Sequence, residues 1–99
     1  MKNISVIIPA YKPDEKLIET IDSIIEVGFD DIIVVDDGGG SDYDAIFARV
    51  TERPQCSLLR HEVNKGKGAA LKTAMSYFIE NRKDMLGAVT VDADGQHLA

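Results

Sequence analysis

The sequence has one cysteine and no apolar run long enough to span a membrane. A single thiol, Cys56, can form neither an internal disulfide nor a multi-cysteine metal site, which indicates a reducing, cytoplasmic environment. The first apolar stretch is too short for a signal peptide and is interrupted by Pro9. Because a bilayer takes about 20 apolar residues to cross, any membrane association of a longer parent, at its cytoplasmic face, would need further sequence.

The sequence also lacks an excess of positive charge. Its formal net charge is -6, and its Lys and Arg residues form no cluster. Nucleic acid is therefore excluded as a partner, because the counterion release that drives such binding needs basic residues. An anionic ligand would need help from a cation. A hydrophobic content of 44% in 99 residues suffices for one domain, with no room for a second.

Short β-branched runs alternate with segments of helical period, which predicts an α/β fold of βαβ units. We expect a Rossmann-like, three-layer α/β/α arrangement of four mostly parallel strands and three helices. The predicted strands are Ile4–Ile8, Ile32–Val35, about Cys56–Arg60 and Ala88–Val91. The predicted helices are Asp14–Val27, a second that Ser41 or Asp42 caps and Pro54 ends, and a third that opens at Asn64–Gly68.

The apolar positions of each predicted helix recur at three- and four-residue steps. Pro9 is expected to stop the first strand and Gly28 to cap the first helix. The short third strand is less hydrophobic, which indicates a sheet edge. The stripes are Leu17, Ile18, Ile21, Ile24 and Ile25 in the first helix, Tyr43, Ile46, Phe47 and Val50 in the second, and Leu71, Ala74, Met75, Phe78 and Ile79 in the third.

Unusual residues follow each predicted strand. Ligands of open parallel sheets bind beyond the carboxyl ends of the strands, so we expect these residues to share one rim. They are Pro9-Ala10-Tyr11, Asp36-Asp37, the segment from His61 to Gly68, and Asp92-Ala93-Asp94.

Asp92 and Asp94 leave the last strand one residue apart, so an extended chain points both carboxylates the same way. A cation such as Mg2+ or Mn2+ would relieve their repulsion and keep positions free for phosphate oxygens. A solvated acidic turn would have the same sequence. Gln96 and His97 stand close enough to help hold a cation or phosphates.

The pair Asp36-Asp37 precedes three glycines and is either a turn or a site where one carboxylate accepts hydrogen bonds from a nucleoside. Gly66-Lys67-Gly68 is neither a Walker loop nor a full dinucleotide fingerprint. Glycines at a helix start nevertheless expose backbone donors, and Lys65 and Lys67 could approach phosphates or simply be exposed.

Two further side chains on this rim each allow two interpretations. Tyr11 could stack on a base or cover the end of the sheet. His61 could be a ligand or a surface or loop histidine, and the second is expected because no other histidine or cysteine stands near it at metal-ligand spacing.

Four segments together resemble the N-terminal part of an inverting family 2 glycosyltransferase, a family with the GT-A fold. The resemblance covers essentially the whole chain, and its ending is most similar to the polyprenyl-phosphate branch, which includes dolichyl-phosphate mannose synthases. The segments are Val6-Ile7-Ile8-Pro9-Ala10-Tyr11, Val34-Val35-Asp36-Asp37-Gly38, Asn64-Lys65-Gly66-Lys67-Gly68-Ala69-Ala70 and Asp92-Ala93-Asp94-Gly95-Gln96-His97.

The resemblance implies a site for a nucleoside diphosphate sugar, such as a UDP- or GDP-sugar. Asp92 would face the ribose or metal-linked groups, while Asp94 and Gln96 would hold the cation. The acceptor would be a glycan or a polyprenyl phosphate. The residues that would surround the nucleoside are Pro9, Ala10, Tyr11 and one of Asp36 or Asp37.

The chain departs from the family pattern in two places, with Lys12 where an Asn is usual and Gly39-Gly40 before Ser41. The resemblance also implies a second half that carries the acceptor site and the general base, so the chain is interpreted as a truncated catalytic domain that does not transfer sugar alone. Its last strand would then present an open edge that favours homo-oligomers.

Three other classes of protein share some of these features. A sugar-phosphate nucleotidylyltransferase would have a loop rich in glycine and arginine where this chain has Pro9-Ala10-Tyr11-Lys12. A receiver domain would carry paired aspartates near its first strand and a fifth strand. A nucleotide-binding module without catalysis stays open.

Overall fold

Strands and helices alternate along residues 3–92, the part of the chain that the computed structural model describes. A 3-10 helix, Ser41–Tyr43, precedes the second α-helix. The strands are β1 (Ile4–Ala10), β2 (Ile32–Asp36), β3 (Cys56–Arg60) and β4 (Gly87–Thr90), and the helices are α1 (Glu15–Val27), α2 (Asp44–Thr51) and α3 (Lys67–Asn81).

The four strands form one parallel sheet in the order β3-β2-β1-β4. Side chains alternate across the buried strands, so each face of the sheet has its own core. One face packs on α1 and α2 through residues that include Leu17, Ile21 and Phe47. The other face packs on α3 through Ala70 and Ala74. The predicted three-layer parallel fold and the edge position of β3 are confirmed.

Pro9 does not stop β1, contrary to the prediction. The N–H of Val6 donates to the backbone carbonyl of Asp31, beside β2. Alternate N–H groups of β1 therefore point toward β2, and the others point toward β4. Pro9 belongs to the second set, and the pairing with β4 ends at Ile7 and Thr90. The missing N–H therefore leaves the pairing with β2 intact, and β1 continues beside β2 to Ala10.

The ends of the first two helices differ in how they are capped. Asp14 caps α1 through a 2.9 Å bond from the Lys16 N–H, and Gly28 ends it with φ 118°, as predicted. The prediction that Ser41 or Asp42 caps the next helix by its side chain is wrong. Those residues form the 3-10 turn instead, and α2 begins after Tyr43 without a side-chain cap.

The apolar stripe of α3 is shifted from the predicted one. Met75 and Ile79 are 39% and 65% exposed, whereas Ala70 is buried and Tyr77 packs on the sheet. Ala74 faces the sheet, and at 3.6 residues per turn Ile79 lies about 140° around the helix from it. Among residues 3–92, no helix has the length and apolar character needed to cross a bilayer.

Candidate functional site

A cleft of about 450 Å³ lies at the carboxyl ends of the strands. It brings together most of the predicted donor-site residues, although they come from four separate segments of the chain. Lys12, Asp14, Asn64 and Gly66 also line it. The predicted residues that line the cleft are Pro9, Ala10, Tyr11, Asp37, Lys67 and Asp92.

The end of β1 forms one wall of this cleft. Ala10 is buried, while Tyr11 is half exposed, at 51%. Lys12 adopts a positive φ of 50°, and its Nζ lies 5.4 Å from the centroid of the Tyr11 ring. A non-glycine residue in this region carries backbone strain, so the turn that presents Tyr11 is sterically unusual.

The Asp37 side chain accepts four hydrogen bonds at the wall of the cleft, and the residue is 3% exposed. Its Oδ1 accepts from His61 Nδ1 at 2.8 Å and from the Lys65 N–H at 3.1 Å. Its Oδ2 accepts from Asn64 Nδ2 at 3.0 Å and from the Gly66 N–H at 3.1 Å. Burial raises the pKa of this carboxyl, but the hydrogen bonds from His61, Lys65 and Gly66 outweigh it and lower the pKa below its usual value.

Asp36 points away from the cleft, because adjacent residues at a strand end face opposite sides. Its Oδ1 accepts from the Gly38 N–H at 3.1 Å, and its Oδ2 lies 3.7 Å from Arg60 Nε. It lines a separate shallow depression that includes Asp44. Of the two adjacent aspartates, Asp37 alone reaches the predicted donor site.

The glycines after Asp37 approach the protein's own backbone. Gly38 has φ 76°, and a Cβ there would lie 2.2 Å from the Val63 carbonyl carbon and 2.4 Å from the Asn64 nitrogen. Glycine is therefore required so that the β2 exit can pack against the loop between β3 and α3.

Helix α3 begins at the cleft, so the positive end of its dipole lies there. Gly66, with φ 94°, turns the chain into the helix. The next residue, Lys67, pairs its Nζ with Asp92 Oδ1 at 2.8 Å. This contact joins the start of α3 to the segment that follows β4.

Asp92 is the one predicted metal ligand within residues 3–92. Its side chain is 31% exposed and turns one oxygen toward the Lys67 ammonium. In that described range no three His, Cys, Asp or Glu side chains form a group that could hold a metal ion. Ala93, Asp94, Gln96 and His97 lie outside the described residues.

His61 lies in the loop after β3, one of the two expected places, but its side chain is not at the surface. The ring is 6% exposed and bridges Asp37 to Thr73, with Nε2 2.8 Å from Thr73 Oγ1. Sequence reasoning missed Thr73 and did not single out the Asn64 side chain. The position of His61 in the sequence could have marked it as a site residue, because it directly follows β3 as Asp37 directly follows β2.

Comparison with known proteins gives consistent matches over nearly the whole chain. A family model described as glycosyl transferase family 2 matches residues 5–99. An uncharacterized protein of Methanocaldococcus jannaschii is 30% identical over 94 residues, which are 95% of this chain and 36% of that protein. A UDP-N-acetylglucosamine–dolichyl-phosphate N-acetylglucosaminyltransferase of Methanococcus voltae is 32% identical, over 97% of this chain and 43% of its own length.

The chain thus spans less than half the length of these two relatives. The family match begins in β1 and takes in all four strand ends that build the cleft. The chain belongs to glycosyl transferase family 2.

Proposed function

We propose that this chain is the donor-binding part of an inverting glycosyltransferase, and that a nucleoside diphosphate sugar binds in the cleft. The supporting observation is that one cleft collects Tyr11, Asp37 and Asp92, which follow three different strands, and Lys67, which begins α3. This is where ligands of open parallel sheets bind. The cleft volume of about 450 Å³ is in the range of small-molecule sites.

The two ends of the ligand would meet different chemistry. The exposed Tyr11 ring offers a stacking surface for the base, beside the small side chain of Ala10. Lys67 and the start of α3 offer positive charge to the diphosphate. Asp37 already accepts four hydrogen bonds, so we assign it to the wall of the site.

A divalent metal ion is generally used by enzymes of this family. Asp92 fits this chemistry, because its carboxylate faces the cleft and is already turned toward a cation. We propose Mg2+ or Mn2+, held by Asp92 together with Asp94 and Gln96, which lie outside the described residues. When bound, the metal would neutralise negative charge on the leaving diphosphate.

The acceptor of the parent protein is proposed to be a polyprenyl phosphate, since the named relative from Methanococcus voltae is a dolichyl-phosphate transferase. Such an acceptor would bring the parent to the cytoplasmic face of a membrane. A phosphate oxygen is already anionic and needs little help from a base. A hydroxyl acceptor would need a general base, which we expect beyond these 99 residues.

Calorimetric titration with UDP-N-acetylglucosamine, UDP and GDP, with and without Mn2+, tests donor binding. We expect Mn2+-dependent binding that Asp92→Asn and Asp94→Ala each weaken about 10- to 100-fold, because each removes the negative charge of a proposed carboxylate ligand. Asp84→Asn is the matched control, since Asp84 is exposed just before β4, at the opposite end of the sheet. Affinity that is independent of Mn2+ and unchanged in both variants would contradict the metal assignment.

A further inference from the structure

His61 is buried beside the cleft without lining it. Its ring stands between a carboxylate on the β2 exit and a hydroxyl on α3, and both contacts are 2.8 Å. A titratable side chain this buried needs partners that account for both ring nitrogens.

The donors and acceptors around the ring determine which of its nitrogens carries the hydrogen. An ionised carboxylate only accepts, so the nitrogen that faces Asp37, Nδ1, carries the hydrogen. In the neutral ring, Nε2 then accepts from the Thr73 hydroxyl. His61 therefore donates to Asp37 Oδ1 and is itself held in orientation by α3.

Asp37, held by His61, in turn binds the loop that borders the cleft. The same Oδ1 accepts from the Lys65 N–H, and Oδ2 accepts from Asn64 and from the Gly66 N–H. The segment from His61 to Gly66 has no helix or strand of its own, so these bonds replace a backbone ladder. Asn64, Gly66 and Lys67 all line the cleft.

We propose that His61 is a positioning residue of the nucleotide-sugar site, which orients Asp37 and through it the Asn64–Gly66 loop and the start of α3. The proposal rests on the proposed function, because the loop is argued to border the donor. His61 does not line the cleft, so its effect on binding is indirect.

Two substitutions separate the two ring contacts. The amide of His61→Asn falls near the position of Nδ1 and can still donate to Asp37, but it cannot reach Thr73. The longer amide of His61→Gln falls near Nε2 and can reach Thr73, but it leaves Asp37 without its donor. Arg82→Met is the control for a general loss of stability, because Arg82 pairs with Asp31 at the opposite end of the sheet.

The measurements are affinity for UDP and GDP with Mn2+, and hydrogen exchange at the Lys65 and Gly66 amides. We expect His61→Gln to weaken nucleotide binding about tenfold and to speed exchange at both amides, because one charge-assisted hydrogen bond is lost. His61→Asn should stay within about threefold of the wild type on the same scale. Arg82→Met should change neither the affinity nor these two amides.

The proposal is overturned if His61→Gln keeps the nucleotide affinity and the amide protection of the wild type. It is equally overturned if His61→Asn weakens nucleotide binding as much as His61→Gln does. It is also overturned if Arg82→Met weakens binding equally, since the effect would then be one of stability. A wild-type chain that binds neither nucleotide contradicts the proposed function instead. The exchange measurement needs no ligand and would still decide whether His61 holds the loop.

Discussion

Two buried aspartates flank β2, and each fixes one end of α3. Asp31 precedes the strand and binds Arg82, directly after the helix. Asp37 follows the strand and binds the loop that leads into the helix. The aspartates have the same side chain and similar burial, at 8% and 3% exposure, so their partners account for the difference between the two ends.

At the end of the sheet where β2 begins, the partners of the Asp31 side chain within residues 3–92 are side chains. Arg82 Nε lies 3.0 and 2.9 Å from the two oxygens of Asp31, and the Ser5 hydroxyl donates to the same carboxylate. The Arg82 guanidinium also donates to Ser57 and lies 5.1 Å from the centroid of the Tyr77 ring. This cluster fastens a helix end to the sheet, far from the cleft.

At the end of the sheet where β2 finishes, two of the four donors to Asp37 are backbone N–H groups of a loop. Asp37 therefore determines the path of a segment that has no ladder of its own and that lines the cleft. We expect the Asp31 end to contribute to stability alone, and the Asp37 end to contribute to stability and to donor binding. Three predictions test this division, in order of expected effect.

Gly38→Ala should be the most damaging change at the Asp37 end. Backbone strain and a clash with Val63 and Asn64 together should lower the free energy of unfolding by about 4 kcal/mol. Gly40→Ala is the matched control, because Gly40 also has a positive φ, of 96°, but has no atom within 4 Å of the added Cβ. Gly40→Ala should lower the free energy of unfolding by about 1–2 kcal/mol. Equal losses of stability in urea unfolding would show that the loop does not pack tightly on the β2 exit.

Arg82→Met and Asp37→Asn should separate stability from binding. Each breaks a buried charge-assisted contact and should lower the free energy of unfolding by about 2–3 kcal/mol. Asp37→Asn should also weaken Mn2+-dependent binding of UDP or GDP, because the amide cannot accept all four donors. Arg82→Met should leave that affinity within about twofold. A similar loss of affinity in both variants would contradict the division between the two ends.

Acid should reveal the smallest of the three effects. The pKa of Asp37 is lowered in the folded protein, so its stabilising contribution is complete above the usual value near 3.8 and is lost as the pH falls through the lower folded value. The stability difference between the wild type and Asp37→Asn should therefore narrow as the pH falls from 5 to below about 4. Urea unfolding across this range measures it, and a constant difference down to pH 2.5 would contradict a lowered pKa.

The chemistry and packing of Cys56 fit a structural role. Burial raises the pKa of this thiol to about 11, so little thiolate forms near neutral pH. The side chain packs against the apolar core between the sheet and the helices α1 and α2. It therefore acts as part of that core.

Sequence periodicity predicted the α/β fold because strands and helices leave different repeats in a chain, as in Ile32–Val35 and in the stripe of α1. It also predicted that Tyr11, Asp37, Lys67 and Asp92 would meet, since parallel strands bring their carboxyl ends to one edge. Periodicity did not determine where the apolar stripe of a helix ends. The third helix shows this at Met75 and Ile79, because the width of the buried face depends on what lies opposite.

The sequence by itself determined the order of the elements and the edge of the sheet where polar residues gather. Tertiary structure alone decided that Asp36 faces away while Asp37 faces the cleft, and that His61 is buried against Asp37 and Thr73. Local patterns report periodicity and turn chemistry, but a hydrogen bond between residues 24 positions apart depends on how two loops are packed. The hydrogen-bond partners of Asp31 and Asp37 therefore depend on the tertiary structure.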